Sequence, residues 1–199
     1  MKKESRIMGI KAKILLSISI VVIGICLVMG INSFQRMEYV MVETGVEEAG
    51  MVAEIAQKMV DGDMVKAIVP GSVETEEYQT LLAIMRNMQK SFGIAYMYTL
   101  YTDGKQVYYG VDTDESDGQM QPGDIFETPY EELENVFKGN TYVQDYIDST
   151  EDGDLVTVYK PVLDSEGRVS AILGCDYDAS HVVYELNQLR QWIIILGAI

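Results

Sequence analysis

One carboxylate stands apart in this sequence. Asp176 closes the run Ala171-Ile172-Leu173-Gly174-Cys175-Asp176, and an acid in so apolar a strand is costly to bury unless a cation or hydrogen-bond donors meet it. The other conspicuous side chains are tyrosines: 13 of them, against 4 Phe and one Trp. A tyrosine has an apolar body and a polar tip, which suits the wall of a pocket for a small polar molecule. Strand periodicity sorts them by face. Within residues 94–101, Tyr96 and Tyr98 share one face while Met97 and Tyr101 take the other. Within 106–112, Tyr108 and Asp112 share a face and Tyr109 lies opposite; later, Tyr159 goes with Thr157, and Asp176 with Gly174 and Ile172. Two blander readings stand beside this one. Asp176 can be a strand-end aspartate that starts the turn into a following helix, and the tyrosines can be ordinary strand residues, where their propensity is high.

The remaining reactive residues carry less. Asp112, Asp114 and Asp117 with Gly118 look like a calcium loop, but the glycine is displaced from the EF-hand register, so a solvated loop is the expectation and no metal is assigned. His181 is alone and expected at the surface. No Ser/His/Asp or Cys/His set, phosphate loop or zinc spacing appears, so these residues give no support to catalysis and imply no cofactor. Of the 2 cysteines, Cys26 lies in an apolar run near the N-terminus and Cys175 in a strand far along the chain, so a disulfide between them is rejected.

The charge that surrounds these groups is lopsided. The chain carries −16. Its first residues are nevertheless basic, with Lys2, Lys3, Arg6, Lys11 and Lys13 against Glu4 alone. A basic tip on a strongly acidic body excludes nucleic acid as a partner, because phosphates would be repelled. Residues 14–31 hold no charge and are about long enough to cross a bilayer. Lys11 and Lys13 precede them and no basic residue follows until Arg36, so the positive-inside rule puts residues 1–13 in the cytoplasm. Residues 32–191 then form an extracytoplasmic domain. The uncharged stretch 192–199, opened by Trp192 as an interfacial anchor, reads as the start of a second span cut short, with the output module lying beyond it.

Between the two apolar stretches the pattern predicts a long helix to about Ile68, stopped by Pro70-Gly71. Val42, Val46, Ala49, Ala53, Ala56 and Val60 recur at spacings of four and three, a seam of small residues suited to a partner helix, with Val52, Ile55 and Met59 on an adjoining face. Both stripes serve equally well as core. A second helix is expected over 74–91, a hairpin turning at Asp103-Gly104, a polar loop over 113–129 and a short helix over 130–138. Strands follow at 141–147, 154–163 and 168–177, then an exit helix from Ser180. The fold class is α+β: five antiparallel strands with helices gathered on one side.

This order resembles the single Cache domain, a PAS-like extracytoplasmic sensor domain found in methyl-accepting chemotaxis proteins. The resemblance is carried by Tyr96-Met97-Tyr98-Thr99-Leu100, Asp103-Gly104, Val107-Tyr108-Tyr109-Gly110-Val111-Asp112, Val158-Tyr159-Lys160-Pro161-Val162 and Leu173-Gly174-Cys175-Asp176-Tyr177, and it covers roughly residues 32–191. It implies a small-molecule sensor in the membrane, a homodimer through the first helix, and a chemotaxis transducer or, alternatively, the sensor region of a histidine kinase or cyclic-dinucleotide enzyme. It also implies a pocket on one sheet face, covered by the loop and helix between the second and third strands, and makes Tyr98, Tyr108, Tyr159 and Asp176 the ligand-binding candidates, with Tyr146 behind them. In two-module relatives an aspartate at the position of Asp176 receives the ammonium of an amino acid. Those relatives add an Arg-x-Trp-Tyr element for the carboxylate, which is missing here, so a cationic or hydrogen-bonding metabolite is expected instead.

Overall fold

The structure, a computed structural model, describes residues 9–150 and 152–197. They fall into two compact units, one of the described residues within 41–181 and one of those within 9–40 and 182–197. The smaller unit contains residues 10–40 of helix α1 (Ile10–Met59). Its most apolar 18-residue window has a mean hydropathy of 2.9 and none of it is buried, which is long and apolar enough to cross a membrane. The unit also holds most of α5 (Ser180–Gly197), on which Trp192, Ile194 and Ile195 are exposed.

The larger unit is built on a six-stranded antiparallel sheet. Its strands are β1 (Tyr96–Thr102), β2 (Val107–Asp112), β3 (Tyr142–Val143), β4 (Asp148–Thr150), β5 (Gly153–Leu163) and β6 (Val169–Asp178). Their order is β2-β1-β6-β5-β3, with β4 also paired to β5. The expected strand at 141–147 is thus broken in two. Gln144 lies between the pieces, buried, and its Nε2 donates to the carbonyls of Tyr146 (2.9 Å) and Leu155 (3.2 Å) in place of a continuous ladder. The hairpin at Asp103-Gly104 forms as expected: Asp103 Oδ1 accepts from the amides of Lys105 and Gln106, and Gly104 takes a φ of 88°.

One sheet face is covered by α1, α2 (Gly62–Lys66) and α3 (Glu76–Phe92). Here the small residues of α1 find their use. Ala49, Ala53, Ala56 and Val60 are buried with Leu81 and Met85 of α3 and with Met97, Val158, Leu173 and Cys175 of the strands. Small side chains let the helix approach the pleated surface closely; at Gly45 an added Cβ would stand 2.6 Å from the Tyr177 ring. The part of the seam from Ala49 to Val60 therefore belongs to the core of its own chain and is not available to a partner helix, while Val46 is half-buried.

The first helix also ends earlier than Pro70 dictates. It stops at Met59, and Asp61 caps α2 by accepting from the amide of Asp63 at 2.8 Å. An aspartate that bonds local amides competes with helix continuation. The chain then passes β5 so closely that a Cβ on Gly62 would meet the carbonyl oxygen of Leu163 at 2.2 Å. Thr75 caps α3 and Gly93 ends it in the left-handed conformation, φ 68°. The helix α4 (Tyr130–Phe137) stands on the opposite face of the sheet, its Leu133 and Val136 buried with Tyr98, Leu100, Tyr159 and Ile172.

Candidate functional site

On that second face the sheet is not filled. A cavity of about 740 Å³ lies between the strands, the loop that follows β2, α4 and the segment around β3. Period-2 alternation decides what its floor is made of. Asp176 of β6 stands opposite Thr157 of β5, and Gly174 lies between Tyr98 of β1 and Tyr159 of β5. Gly174 is required there: an added Cβ would meet the Tyr98 ring at 2.5 Å. With no side chain beneath it, the ring of Tyr98 lies down on the sheet and its hydroxyl reaches the carboxylate.

Asp176 is buried, 6% exposed. Its Oδ1 accepts from Thr157 Oγ1 at 2.6 Å and from Tyr98 Oη at 3.4 Å, and the Tyr98 and Tyr159 hydroxyls are 3.3 Å apart. Among the described residues no donor reaches Oδ2. Burial pushes the carboxyl up to about 7, partly offset by the bonds from Thr157 and Tyr98. Burial, followed by the field of Asp176, holds the Tyr98 and Tyr159 hydroxyls well above the usual phenol range, so both stay protonated donors. The aromatic wall is continuous: Tyr98 to Tyr109 is 5.8 Å between ring centroids, Tyr109 to Phe126 is 5.2 Å and Tyr142 to Tyr159 is 5.7 Å.

Tyr98, Tyr159 and Asp176 are thus brought together, and Tyr146 lines the outer part of the cavity, more than half exposed. Tyr108 is not brought in. It stacks on Tyr101, 5.4 Å between centroids, and its hydroxyl donates to Asp103 Oδ2 at 3.3 Å. Tyr109 lines the cavity in its stead, and so does Asp112. The cause is a β-bulge: Leu100 pairs with Tyr109 and Tyr98 with Asp112, so Gly110 and Val111 together stand opposite Thr99. Simple alternation puts Tyr108 and Asp112 on one face; the extra residue puts Tyr109 and Asp112 there. Gly110 inside a strand was the signal for it.

The supposed calcium loop is closed on itself. Asp112 accepts from the amides of Asp114 (3.1 Å) and Met120 (2.8 Å), and Asp114 from the amide and hydroxyl of Ser116. Among the described residues no group of three or more His, Cys, Asp or Glu could hold a metal. His181 is exposed, edge-on to Tyr177.

No protein family matches this sequence, and no curated protein does. Solved structures do match in fold. The sensor domain of the V. cholerae histidine kinase DctB superposes with a TM-score of 0.60 at 11% identity, over 79% of this chain and 57% of that one. The E. coli DcuS sensor domain gives 0.51 at 14% identity, over 74% and 98%. This chain shares the fold of these two domains. A looser superposition, TM-score 0.42 at 16% identity, is with the ligand-binding domain of the Campylobacter jejuni chemoreceptor Tlp3 in complex with L-valine; this chain covers 65% of that domain's length and 82% of its own. The cavity over β1, β5 and β6 brings the buried carboxylate of Asp176 together with unfilled space.

Proposed function

We propose that this chain is the sensing region of a membrane receptor, a chemotaxis transducer of the methyl-accepting type. Residues 14–31 cross the membrane from a cytoplasmic tip at 1–13, residues 32–191 form the extracytoplasmic Cache-like sensor, and the chain re-enters the membrane from Trp192. A small molecule is bound in the cavity by Tyr98, Tyr109, Tyr159 and Asp176, and its binding is passed along β6 to the exit helix, which starts at Ser180, four residues after Asp176. The observation that carries this reading is the cavity itself: a sensor-domain fold with about 740 Å³ left open over a buried, half-satisfied carboxylate.

The alternative is the sensor region of a histidine kinase or cyclic-dinucleotide enzyme, and the match to the DctB sensor domain favours it as much as the transducer. The homodimer that the resemblance implies would use a different stripe of the first helix: Met51, Ile55 and Met59, at i, i+4 and i+8, are all exposed.

Topology is the direct test. Alkaline phosphatase fused after Gln191 is expected to be active, and a reporter that works only in the cytoplasm inactive at the same position. The reverse pattern removes the receptor reading.

A further inference from the structure

The cavity names the chemical class of its ligand. None of the described side chains that line it is Lys, Arg or His. Seven are carboxylates: Asp112 and Asp176 are buried, Asp114 is half-buried, and Glu127, Glu132, Asp148 and Asp152 are exposed around the mouth. An anionic ligand, or a zwitterion such as a free amino acid, would bring a carboxylate into this field with no cation to receive it. A metal ion has no ligand set here, since no described trio of His, Cys, Asp or Glu is arranged to hold one. Asp112 has both oxygens occupied by backbone amides. Asp176 does not: Oδ1 is held by Thr157 and Tyr98, and Oδ2 accepts from no described donor.

We propose that the cavity binds a linear aliphatic diamine or longer polyamine that carries no carboxylate, with one ammonium on Asp176 Oδ2 and the other among the carboxylates of the mouth. This rests on the reading of the cavity as the sensing site. The stem between the two charges crosses Tyr98, Tyr109 and Tyr159, whose ring faces favour methylenes and ammonium groups alike. A single ammonium satisfies Asp176 and leaves the acidic mouth without a partner, which is why two charges fit better than one. Binding is coupled to loss of the Asp176 proton, so affinity falls as pH drops below about 7.

The test is calorimetry on the full chain in detergent micelles with 1,4-diaminobutane, butylamine, 4-aminobutanoate and L-valine. The diamine is expected to bind at least tenfold more tightly than butylamine and 4-aminobutanoate, and Asp176→Asn to weaken it at least tenfold. Exposed mouth changes, Asp148→Asn with Asp152→Asn, leave the fold intact and should weaken the diamine several-fold without touching butylamine. Diamine affinity unchanged in both variants overturns the proposal. Binding of 4-aminobutanoate or L-valine as tight as the diamine, and lost in Gly174→Ala, overturns the ligand class but keeps the cavity as the sensing site. Binding of none of the four overturns the diamine assignment. Where any of the four does bind and Gly174→Ala leaves that binding unchanged, the cavity falls as the site as well.

Discussion

Leu173 and Gly174 are neighbours on β6, yet they look into environments built on opposite terms. Leu173 is fully buried in one apolar cluster with Ala49, Ala53 and Ala56 of α1 and Leu81 and Met85 of α3. Gly174 lies under the Tyr98 ring, on the face that carries Tyr159, Asp176 and the cavity. The helix-covered face of the sheet is where burial of apolar area stabilises the fold. The other face is packed by α4 over part of its area, and around Asp176 it gives up close packing for a cavity and hydrogen bonds between polar groups. The contrast teaches that a strand with period-2 alternation can serve stability with one set of residues and recognition with the set between them.

Substitutions on adjacent residues should separate the two. Leu173→Ala removes buried methyl groups from the filled face and is expected to lower unfolding stability by about 3 kcal/mol, read by urea denaturation, with ligand affinity retained in the molecules that stay folded. Gly174→Ala should cost about 2 kcal/mol, because its Cβ forces the Tyr98 ring off the sheet, but here ligand binding should disappear. Equal loss of binding in both would erase the distinction between the faces. The smallest effect is expected from Thr157→Val, which deletes the 2.6 Å bond to Asp176 at a cost on the order of 1 kcal/mol.

The same variant reports on pH. Burial raises the Asp176 carboxyl from 3.8 to about 7, so the folded protein binds its proton more tightly than the unfolded chain does. That contribution to stability is complete below about pH 4 and is lost as pH rises through 7. Melting temperatures should carry this component, falling towards pH 7 and levelling above it. In Thr157→Val the levelling should move to higher pH, because the bond that favours the ionised form is gone. A profile that Thr157→Val leaves unmoved would place the titration elsewhere.

Much of this was legible from residue order. Thr157 with Tyr159, and Gly174 with Asp176, lie on strands paired without irregularity over the segment concerned, so alternation grouped them within each strand as the structure does; that Tyr98, Tyr159 and Asp176 share one face of the sheet was implied by the resemblance. Helix α3 and the first hairpin carry their own signals in Thr75, Gly93 and Asp103-Gly104. The failures have physical causes too. The seam of small residues on α1 says that something packs closely, and a sheet satisfies that spacing as well as a helix does. The early end of α1 depends on Asp61 capping and on the approach of Leu163 to Gly62, a contact about a hundred residues away in sequence. Tyr109 was hidden behind Tyr108 by a single extra residue in β2.

That extra residue has a consequence for how such sequences vary in length. Tyr109 and Asp112 look into the cavity while Val111 packs towards the helices, so a chain shortened by one codon at Gly110 keeps all three on their present sides with plain alternation. The same deletion in the middle of β5 or β6 would turn Thr157 or Asp176 over into the aliphatic layer. When homologues are aligned, the gap of one residue belongs between Tyr109 and Val111, and a gap placed in either long strand would mark a protein whose cavity is walled by other side chains.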